Sequence, residues 1–201
     1  MNEIYRYVNL YGITGLLKII FEMILTKLKF RNAKLIRHPF ECRGRKFISI
    51  GKGLTTGRYC RIEAYSDSKK VLSFGENCQI NDNVHIVAKE SVVIEDNVLI
   101  ASRVFISDLN HGNYVGNYQS KANEIVCQRP LITSPVHISC NVWLGEGVVV
   151  LPGVTIGENT IVGANSVVSK NLDSNCIYVG NPARLIKKYN FKTEVWDRVN
   201  D

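Results

Sequence analysis

The apolar positions in the second half of the chain recur every sixth residue. The series runs without a slip through Ile138, Leu144, Val150, Ile156, Val162 and Val168. A helix repeats near 3.6 residues and a simple strand near two, so a period of six fits neither alone. The period fits short strands joined by tight corners, with three strands in each coil of about eighteen residues. The pattern therefore predicts a parallel β-helix.

An earlier block has the same period, with an offset of two residues in its middle. Its apolar residues are Phe74, Ile80, Ile86, Ile94, Ile100 and Ile106. We expect left-handed backbone at corners occupied by glycine, asparagine or aspartate, namely at Gly75, Asn81, Asp96, Gly153, Gly157 and Asn159. An ordinary β-sandwich is the alternative, but it predicts ragged spacing between its strands.

The two ends of the chain lack this period. Residues 1–45 form the predicted N-terminal helical segment, because apolar residues lie at roughly helical spacing over 1–37. Lysines interrupt that run, so we expect no stretch to reach the ~18 apolar residues of a membrane span. The helix packs on the coil or a neighbouring subunit, or else lies on anionic lipid. Residues 46–182 form the predicted β-helix, and a basic helix over 183–201 caps it.

Residues 109–135 interrupt the period and predict an extended loop, which is polar and aromatic. A long loop that leaves a rigid repeat usually has a function. His111 stands where the coil stops and the loop begins. A lone histidine at such a position is more often an ordinary surface or turn residue, although a neutral imidazole can accept a proton from a hydroxyl near pH 7.

The charge and cysteine content of the chain indicate its ligand class and its cellular compartment. The chain has 201 residues, a net charge of +7, and six cysteines without a CxxC pair. Scattered cysteines indicate a reducing cytoplasm and argue against a disulfide framework or a zinc site. No signal peptide is apparent, and the chain lacks a nucleic-acid-binding motif. The positive charge instead favours a multiply phosphorylated cofactor.

The stretch from Val142 to Gly157, which reads VWLGEGVVVLPGVTIG, resembles the hexapeptide-repeat acyltransferases. The resemblance covers residues 71–189 closely and residues 47–65 more loosely. It implies an all-β, left-handed parallel β-helix that binds acetyl-CoA. It also implies a homotrimer whose sites lie between subunits and need no metal.

Within that family, residues 94–111 resemble the galactoside and maltose O-acetyltransferases, whose catalytic histidine falls on His111. Asp108 or a backbone carbonyl would orient its ring, and Asn110 completes an Asp-x-Asn-His context similar to surface-polysaccharide acetyltransferases. The resemblance places acceptor binding at Asn81, with Asn83 and Tyr114 as further candidates. Lys89 replaces a family carboxylate, which argues against free galactoside or maltose as the acceptor.

The resemblance also supplies the cofactor residues. Trp143 would lie beside the pantetheine arm, a backbone N–H of Gly145 or Glu146 would bind the oxyanion, and the backbone of Ala164 would hydrogen-bond pantetheine. The candidates for the phosphates of coenzyme A are Ser169, Lys170, Arg184 and Lys187.

Together these features predict an acetyl-CoA-dependent O-acetyltransferase for a sugar hydroxyl of a surface polysaccharide or its precursor. We expect it in the cytoplasm, with the inner face of the membrane, met through residues 1–37, as the alternative location. Three other functions are weighed against it. An N-acetyltransferase for an amino or nucleotide sugar is one, and a non-catalytic scaffold or coenzyme A-binding module is another. A zinc-dependent γ-type carbonic anhydrase would use His85, His111 and His137, but their spacing in the sequence is wrong for it.

Overall fold

The computed structural model describes residues 3–199, with side chains from residue 5 onward except at residue 7. A helix, α1, spans Glu3–Lys29 and is followed by a coil with three flat faces. Two short 3-10 turns lie at Arg45–Phe47 and Val126–Gln128. The predicted β-helix is confirmed.

Three parallel sheets form the faces of the coil, named here A, B and C. Face A contains Leu35–Ile36, Thr55–Thr56, Gln79–Ile80, Leu99–Ile100, Trp143–Leu144, Ile161–Val162 and Cys176–Val179. Face B contains Phe40–Arg43, Cys60–Ala64, His85–Ala88, Phe105–Ser107, Val149–Val150 and Val167–Val168. Face C contains Ile48–Ile50, Leu72–Phe74, Val92–Ile94, Val136–Ile138 and Thr155–Ile156.

The hydrophobic core consists of three columns of inward side chains, one column behind each face. On face A the register stacks Ile80, Ile100, Leu144 and Val162 over one another. On face B it stacks Ile86, Ile106, Val150 and Val168. All eight side chains are at most 2% exposed. Burial of each such aliphatic side chain contributes roughly 1.5–3 kcal/mol, so the six-residue spacing is what holds the coils together.

The corners differ in detail from the sequence expectation. At most corners, left-handed backbone falls on the third residue after the inward one, as at Asn83, Asn97 and Arg103, with φ near 60°. The expectation was therefore wrong for Gly75, Asn81, Asp96 and Gly157 and correct for Gly153 and Asn159. Gly75 is needed for another reason, since a Cβ there would overlap the Asp96 carboxylate of the next coil.

The coil begins at Leu35, before the expected boundary at residue 46. Leu35–Ile36 pairs in parallel with Thr55–Thr56, and Phe40–Arg43 pairs with Cys60–Glu63. The first coil carries Cys42 and the second carries Thr56 at positions where the next coil carries isoleucine. Because those residues weaken the apolar period, the sequence alone hides this coil.

The expected C-terminal helix is wrong. Two antiparallel strands, Arg184–Asn190 and Val195–Arg198, extend face A instead. The first of them pairs with Cys176–Val179 and so satisfies the open edge of the last coil strand. Tyr189 packs edge-on against Trp196 with ring centroids 5.2 Å apart. Edge pairing and aromatic packing thus override the helical pattern of the basic residues.

The predicted N-terminal helix is confirmed, and Gly12 interrupts it with a φ of 67°. Its second half packs on the first coil through two buried polar residues. Glu22 lies 2.8 Å from the Arg58 guanidinium, and Thr26 Oγ1 accepts a 2.8 Å hydrogen bond from the Ile36 N–H. By length and composition, Val8–Lys29 is long and apolar enough to cross a membrane. The expectation that no stretch would reach this limit was wrong.

Replacing one inward isoleucine tests the core. Ile100 is fully buried between Ile80 and Leu144, so Ile100→Ala should lower the free energy of unfolding by about 2–5 kcal/mol. Urea titration followed by circular dichroism measures the loss. Ile125→Ala is the control, because that side chain is 60% exposed and should change stability by less than about 0.5 kcal/mol. Equal losses in the two variants would contradict the core assignment.

Candidate active site

His111 lies at the base of the long loop, which comprises residues 109–135. The strand Leu109–His111 pairs antiparallel with Leu131–Thr133, so that His111 faces Leu131. The Gly112 N–H then donates to the Pro130 carbonyl at 2.8 Å and closes the hairpin. The side chain of His111 is exposed, and within residues 3–199 its ring has no hydrogen-bond partner. The ring is therefore available to a substrate.

Asp108 holds the start of this loop to the preceding coil. Its buried carboxylate accepts hydrogen bonds of 2.7–3.0 Å from the backbone N–H groups of Lys89, Glu90 and Ser91. Its carbonyl accepts the N–H of Ser134 at 2.8 Å, which ties down the other end of the loop. Both carboxylate oxygens are thus bonded to backbone N–H groups. Asp108 therefore positions the start of the loop and does not contact the His111 ring. Asn110 is exposed next to His111, and its backbone pairs with Ile132.

Tyr114 and Arg129 order the interior of the loop. The Tyr114 hydroxyl donates to the His111 carbonyl at 2.5 Å, and Arg129 Nη1 donates to that hydroxyl at 2.8 Å. Arg129 Nη2 donates to the carbonyls of Lys121, Ala122 and Glu124 at 3.1–3.2 Å. Tyr114, expected to bind substrate, here contacts the backbone of His111. Arg129 was missed as a site residue, although a lone arginine in a polar loop was a signal for it.

Asn81 and Asn83 lie at the corner that follows the strand Gln79–Ile80. Asn83 has a φ of 58° and its N–H donates to the Arg58 carbonyl at 2.8 Å, so it shapes the corner. Asn81 is exposed and lines a cleft of about 660 Å³ between α1 and face A, together with Ile19 and Gln79. Of the two asparagines, Asn81 is the one that opens onto a cleft.

Trp143 lies on face A near the C-terminal end of the coil. It is 47% exposed and lines an apolar cleft of about 350 Å³ with Ile161, Phe191 and Trp196. The C-terminal strands, which were expected to be a helix, form the far wall of this cleft. An exposed indole on a mostly apolar surface can pack against a flexible, largely apolar ligand.

Gly145 and Glu146 turn the corner after Trp143. The Gly145 N–H donates to the Val162 carbonyl at 2.8 Å, and a Cβ on Gly145 would meet the Ala164 nitrogen at 2.7 Å. The backbone N–H of Glu146 has no hydrogen-bond partner within the described residues. The Glu146 carboxylate forms an ion pair with Arg103 at 2.5 Å. Of the two candidate oxyanion donors, Glu146 therefore has the free N–H.

The basic residues near the end of the coil lie on two faces. Ser169 and Lys170 directly follow the last strand of face B and are exposed. Arg184 pairs with Val179, and Lys187 pairs with Ile177, in the strand added to face A. The Ala183 N–H donates to the Val167 carbonyl at 2.9 Å, which brings Arg184 towards face B. The structure thus groups Arg184 with the corner between the faces and leaves Lys187 on face A.

Comparisons with known proteins agree with this fold. Residues 135–170 match the family model described as bacterial transferase hexapeptide (six repeats). The chain is 41% identical over 189 residues to an Escherichia coli (strain K12) protein provisionally named lipopolysaccharide biosynthesis O-acetyl transferase WbbJ. That match covers 94% of this chain and 95% of the relative. The chain belongs to the hexapeptide-repeat acyltransferases. It is an acyltransferase whose coil is the left-handed β-helix of that family.

Further relatives fit the same family. The E. coli (strain K12) galactoside O-acetyltransferase is 34% identical over 155 residues, covering 76% of this chain and 72% of the relative. A solved structure of a galactoside acetyltransferase in complex with coenzyme A has a TM-score of 0.55 at 28% identity, covering 78% of this chain and 75% of that one. A point mutant of the Bacillus cereus N-acyltransferase AntD, solved with dTDP-4-amino-4,6-dideoxyglucose and coenzyme A, has a TM-score of 0.65 at 26% identity, covering 85% and 90%.

In this hexapeptide acyltransferase the candidate base lies on a different corner from the candidate acceptor and oxyanion residues of the same chain. Asn81, Glu146 and Ala164 follow strands of face A and lie along the corner between faces A and B. The long loop with His111 leaves after Phe105–Ser107, at the corner between faces B and C. His111 lines neither the cleft at Asn81 nor the cleft at Trp143. One chain therefore presents the two halves of the candidate site on separate corners.

The other two histidines of the zinc alternative lie elsewhere and face carboxylates. His85 Nε2 lies 2.9 Å from Glu63 on face B, and His137 Nε2 lies 2.8 Å from Glu95 on face C. Within the described residues, no group of three or more histidine, cysteine, aspartate or glutamate side chains could hold a metal ion. Within one chain the three histidines lie on three different elements and do not converge.

Glu63 generates a prediction about acid stability. Burial opposes its ionisation, but the hydrogen bonds from His85 and Tyr65 and the charges of Arg61 and Arg43 lower its pKa from the ordinary value of 4.5. Because the folded-state pKa is depressed, the ionised form stabilises the fold above about pH 4.5, and this contribution is lost as the pH falls through the folded-state value. Glu63→Gln should therefore destabilise the protein at pH 7, and its deficit relative to wild type should shrink at lower pH.

Urea titrations of wild type and Glu63→Gln across this pH range measure the difference. Glu41→Gln is the matched control, since Glu41 also pairs with Arg43 but is half exposed. A deficit for Glu63→Gln that stays constant from pH 7 to acid would contradict the assignment.

Proposed function

We propose that this acyltransferase moves an acetyl group from acetyl-CoA to a sugar hydroxyl of a surface polysaccharide or its precursor, with His111 as the general base. The observation that carries the proposal is an exposed imidazole without a ring partner among the described residues, held at the base of an ordered loop. The 41% identity to the relative provisionally named WbbJ supports a polysaccharide acceptor.

The proposed reaction is a direct transfer. The acceptor hydroxyl attacks the thioester carbon while its proton passes to the free ring nitrogen of His111. The tetrahedral intermediate carries an oxyanion, and the Glu146 N–H, which lies at the same corner as Ala164, donates to it. Collapse breaks the C–S bond, and the imidazolium returns the proton to the departing sulfur. No acyl-enzyme is needed, so the exposed Cys127 in the loop has no part in it.

The chain offers fitting contacts for acetyl-CoA. The corner at Gly145 has no room for a Cβ, because the backbone of Gly145 lies directly against the backbone of Ala164. Trp143 supplies an exposed ring for the pantetheine arm. Lys170 and Arg184 are exposed cations at the end of the coil and suit the phosphates, with Ser169 and Lys187 as further contacts. Solved structures of similar chains contain coenzyme A, which supports this assignment.

We infer a homotrimer with each site between two subunits. The separation of His111 from Glu146 and Ala164 onto different corners of one chain supports it, because a neighbouring chain can bring the missing half. Asn110 and Asn81, both exposed, then become candidates for contact with the sugar from the two sides. We place the enzyme in the cytoplasm, where acetyl-CoA is made available.

A second candidate is N-acetylation of an amino sugar, because the same base can deprotonate an ammonium or a developing amide. The likeness to AntD, bound to a dTDP-amino sugar, favours it. Mass spectrometry after incubation with acetyl-CoA distinguishes the two, using paired acceptors that carry either a hydroxyl or an amine at the same carbon. Alkali-labile esters support O-transfer, and alkali-stable amides support N-transfer.

The general base is tested by His111→Ala. Turnover should fall at least ~10²-fold, because the hydroxyl loses its proton acceptor, while coenzyme A binding by calorimetry stays within about twofold. His137→Ala is the control, since that ring pairs with Glu95 on face C, away from the loop. Near-normal turnover of His111→Ala, or an equal loss in the control, would remove His111 from the mechanism.

A further inference from the structure

The outer surface of α1 is an apolar stripe. After Gly12, its outward residues recur at helical spacing and are 46–78% exposed. They are Ile13, Leu17, Ile20, Phe21, Ile24 and Leu28. A contiguous apolar surface of this kind is unfavourable in water and marks a contact with protein or lipid.

The inner face of the same helix carries two buried polar residues. Glu22 and Thr26 are at most 2% exposed and bond to Arg58 and to the Ile36 N–H of the coil. A surface helix of a globular protein normally has the opposite arrangement, with its apolar stripe facing the core. These contacts also fix the second half of α1 to the coil, so a helix bound in this way lies along a surface and does not cross a bilayer.

A basic groove begins where α1 ends. This groove of about 650 Å³ is lined by Arg31, Arg45, Lys46 and Lys70, and its lining contains no carboxylate within the described residues. Arg45 lies over the Phe30 ring at 4.7 Å, and Lys46 lies over the Phe47 ring at 4.6 Å. These four cations form no ion pair with a described carboxylate, and Lys70 Nζ donates to the Ile48 carbonyl at 2.8 Å, so no described carboxylate neutralises the positive charge of the groove.

We propose that α1 docks this protein on an anionic lipid bilayer. The apolar stripe enters the boundary between headgroups and hydrocarbon, and the basic groove meets the lipid phosphates. Apolar insertion and several cations together give the two signals that stable peripheral binding requires. In a two-fold contact, a second copy of this chain would bring the same basic groove beside the stripe, so like charges would meet. An anionic surface complements both features.

Docking brings the cleft between α1 and face A, which Asn81 lines, close to the bilayer. An acceptor glycan carried on a lipid would then reach Asn81. This last link rests on the proposed function, but the docking itself does not, and its test needs no catalysis.

Vesicle flotation of the full chain tests the docking. Wild type should float with vesicles of equal parts phosphatidylglycerol and phosphatidylcholine, and less with phosphatidylcholine alone or at high salt. The triple variant Leu17→Gln, Phe21→Gln, Ile24→Gln should lower the partition coefficient at least ~10-fold. Arg45→Gln with Lys46→Gln should lower it by roughly tenfold.

Lys192→Gln with Arg198→Gln is the matched control, because it removes the same charge from the exposed C-terminal strands and should change binding less than about twofold. All changed side chains are exposed, and thermal melts confirm that the variants fold. Three results would overturn the proposal. Wild type could fail to float, the triple variant could float as well as wild type, or the triple variant could dissociate an oligomer in light scattering while vesicles bind neither protein.

Discussion

The narrow interior of the coil is the constraint on which the rest of the molecule depends. Each hexad contributes one inward side chain, and the columns through Ile100 and Ile106 are fully buried. No reactive group fits inside such a prism, so chemistry must lie on corners, on open ends or on segments that leave the coil. The long loop is a segment of this last kind, and Asp108 anchors it. The buried Asp108 carboxylate accepts hydrogen bonds from three backbone N–H groups of the preceding coil, and this fixes the position of the strand that carries His111.

The regular part of this fold could be predicted from the sequence because a single physical requirement repeats. Every hexad needs a slender apolar residue inward, so the period from Ile138 to Val168 specified strands, faces and register together. The exit of the long loop at His111 was also predictable, since the period stops there. These features depend on local spacing, and local spacing is what a single sequence displays.

Features that depend on contacts between distant segments could not be predicted in this way. The strand Arg184–Asn190 exists because it covers the edge of Cys176–Val179, not because of its own pattern. The bonds of Asp108 reach back to Lys89, and Arg129 gathers carbonyls from across the loop. The preference for Glu146 over Gly145 as the proposed oxyanion donor required knowing that the Val162 carbonyl already accepts the Gly145 N–H. The outward apolar stripe of α1 likewise needed Glu22 to be located on the coil.

The central claim is that His111 of one chain acts on a substrate held at the Glu146 corner of another. Mixed trimers test this most directly. His111→Ala and Ala164→Trp chains with different tags are co-expressed, and the doubly tagged species is purified. Each variant alone should be inactive, but every mixed trimer should contain one intact site and show about one third of wild-type turnover. Mixed trimers as inactive as their parents would contradict the account.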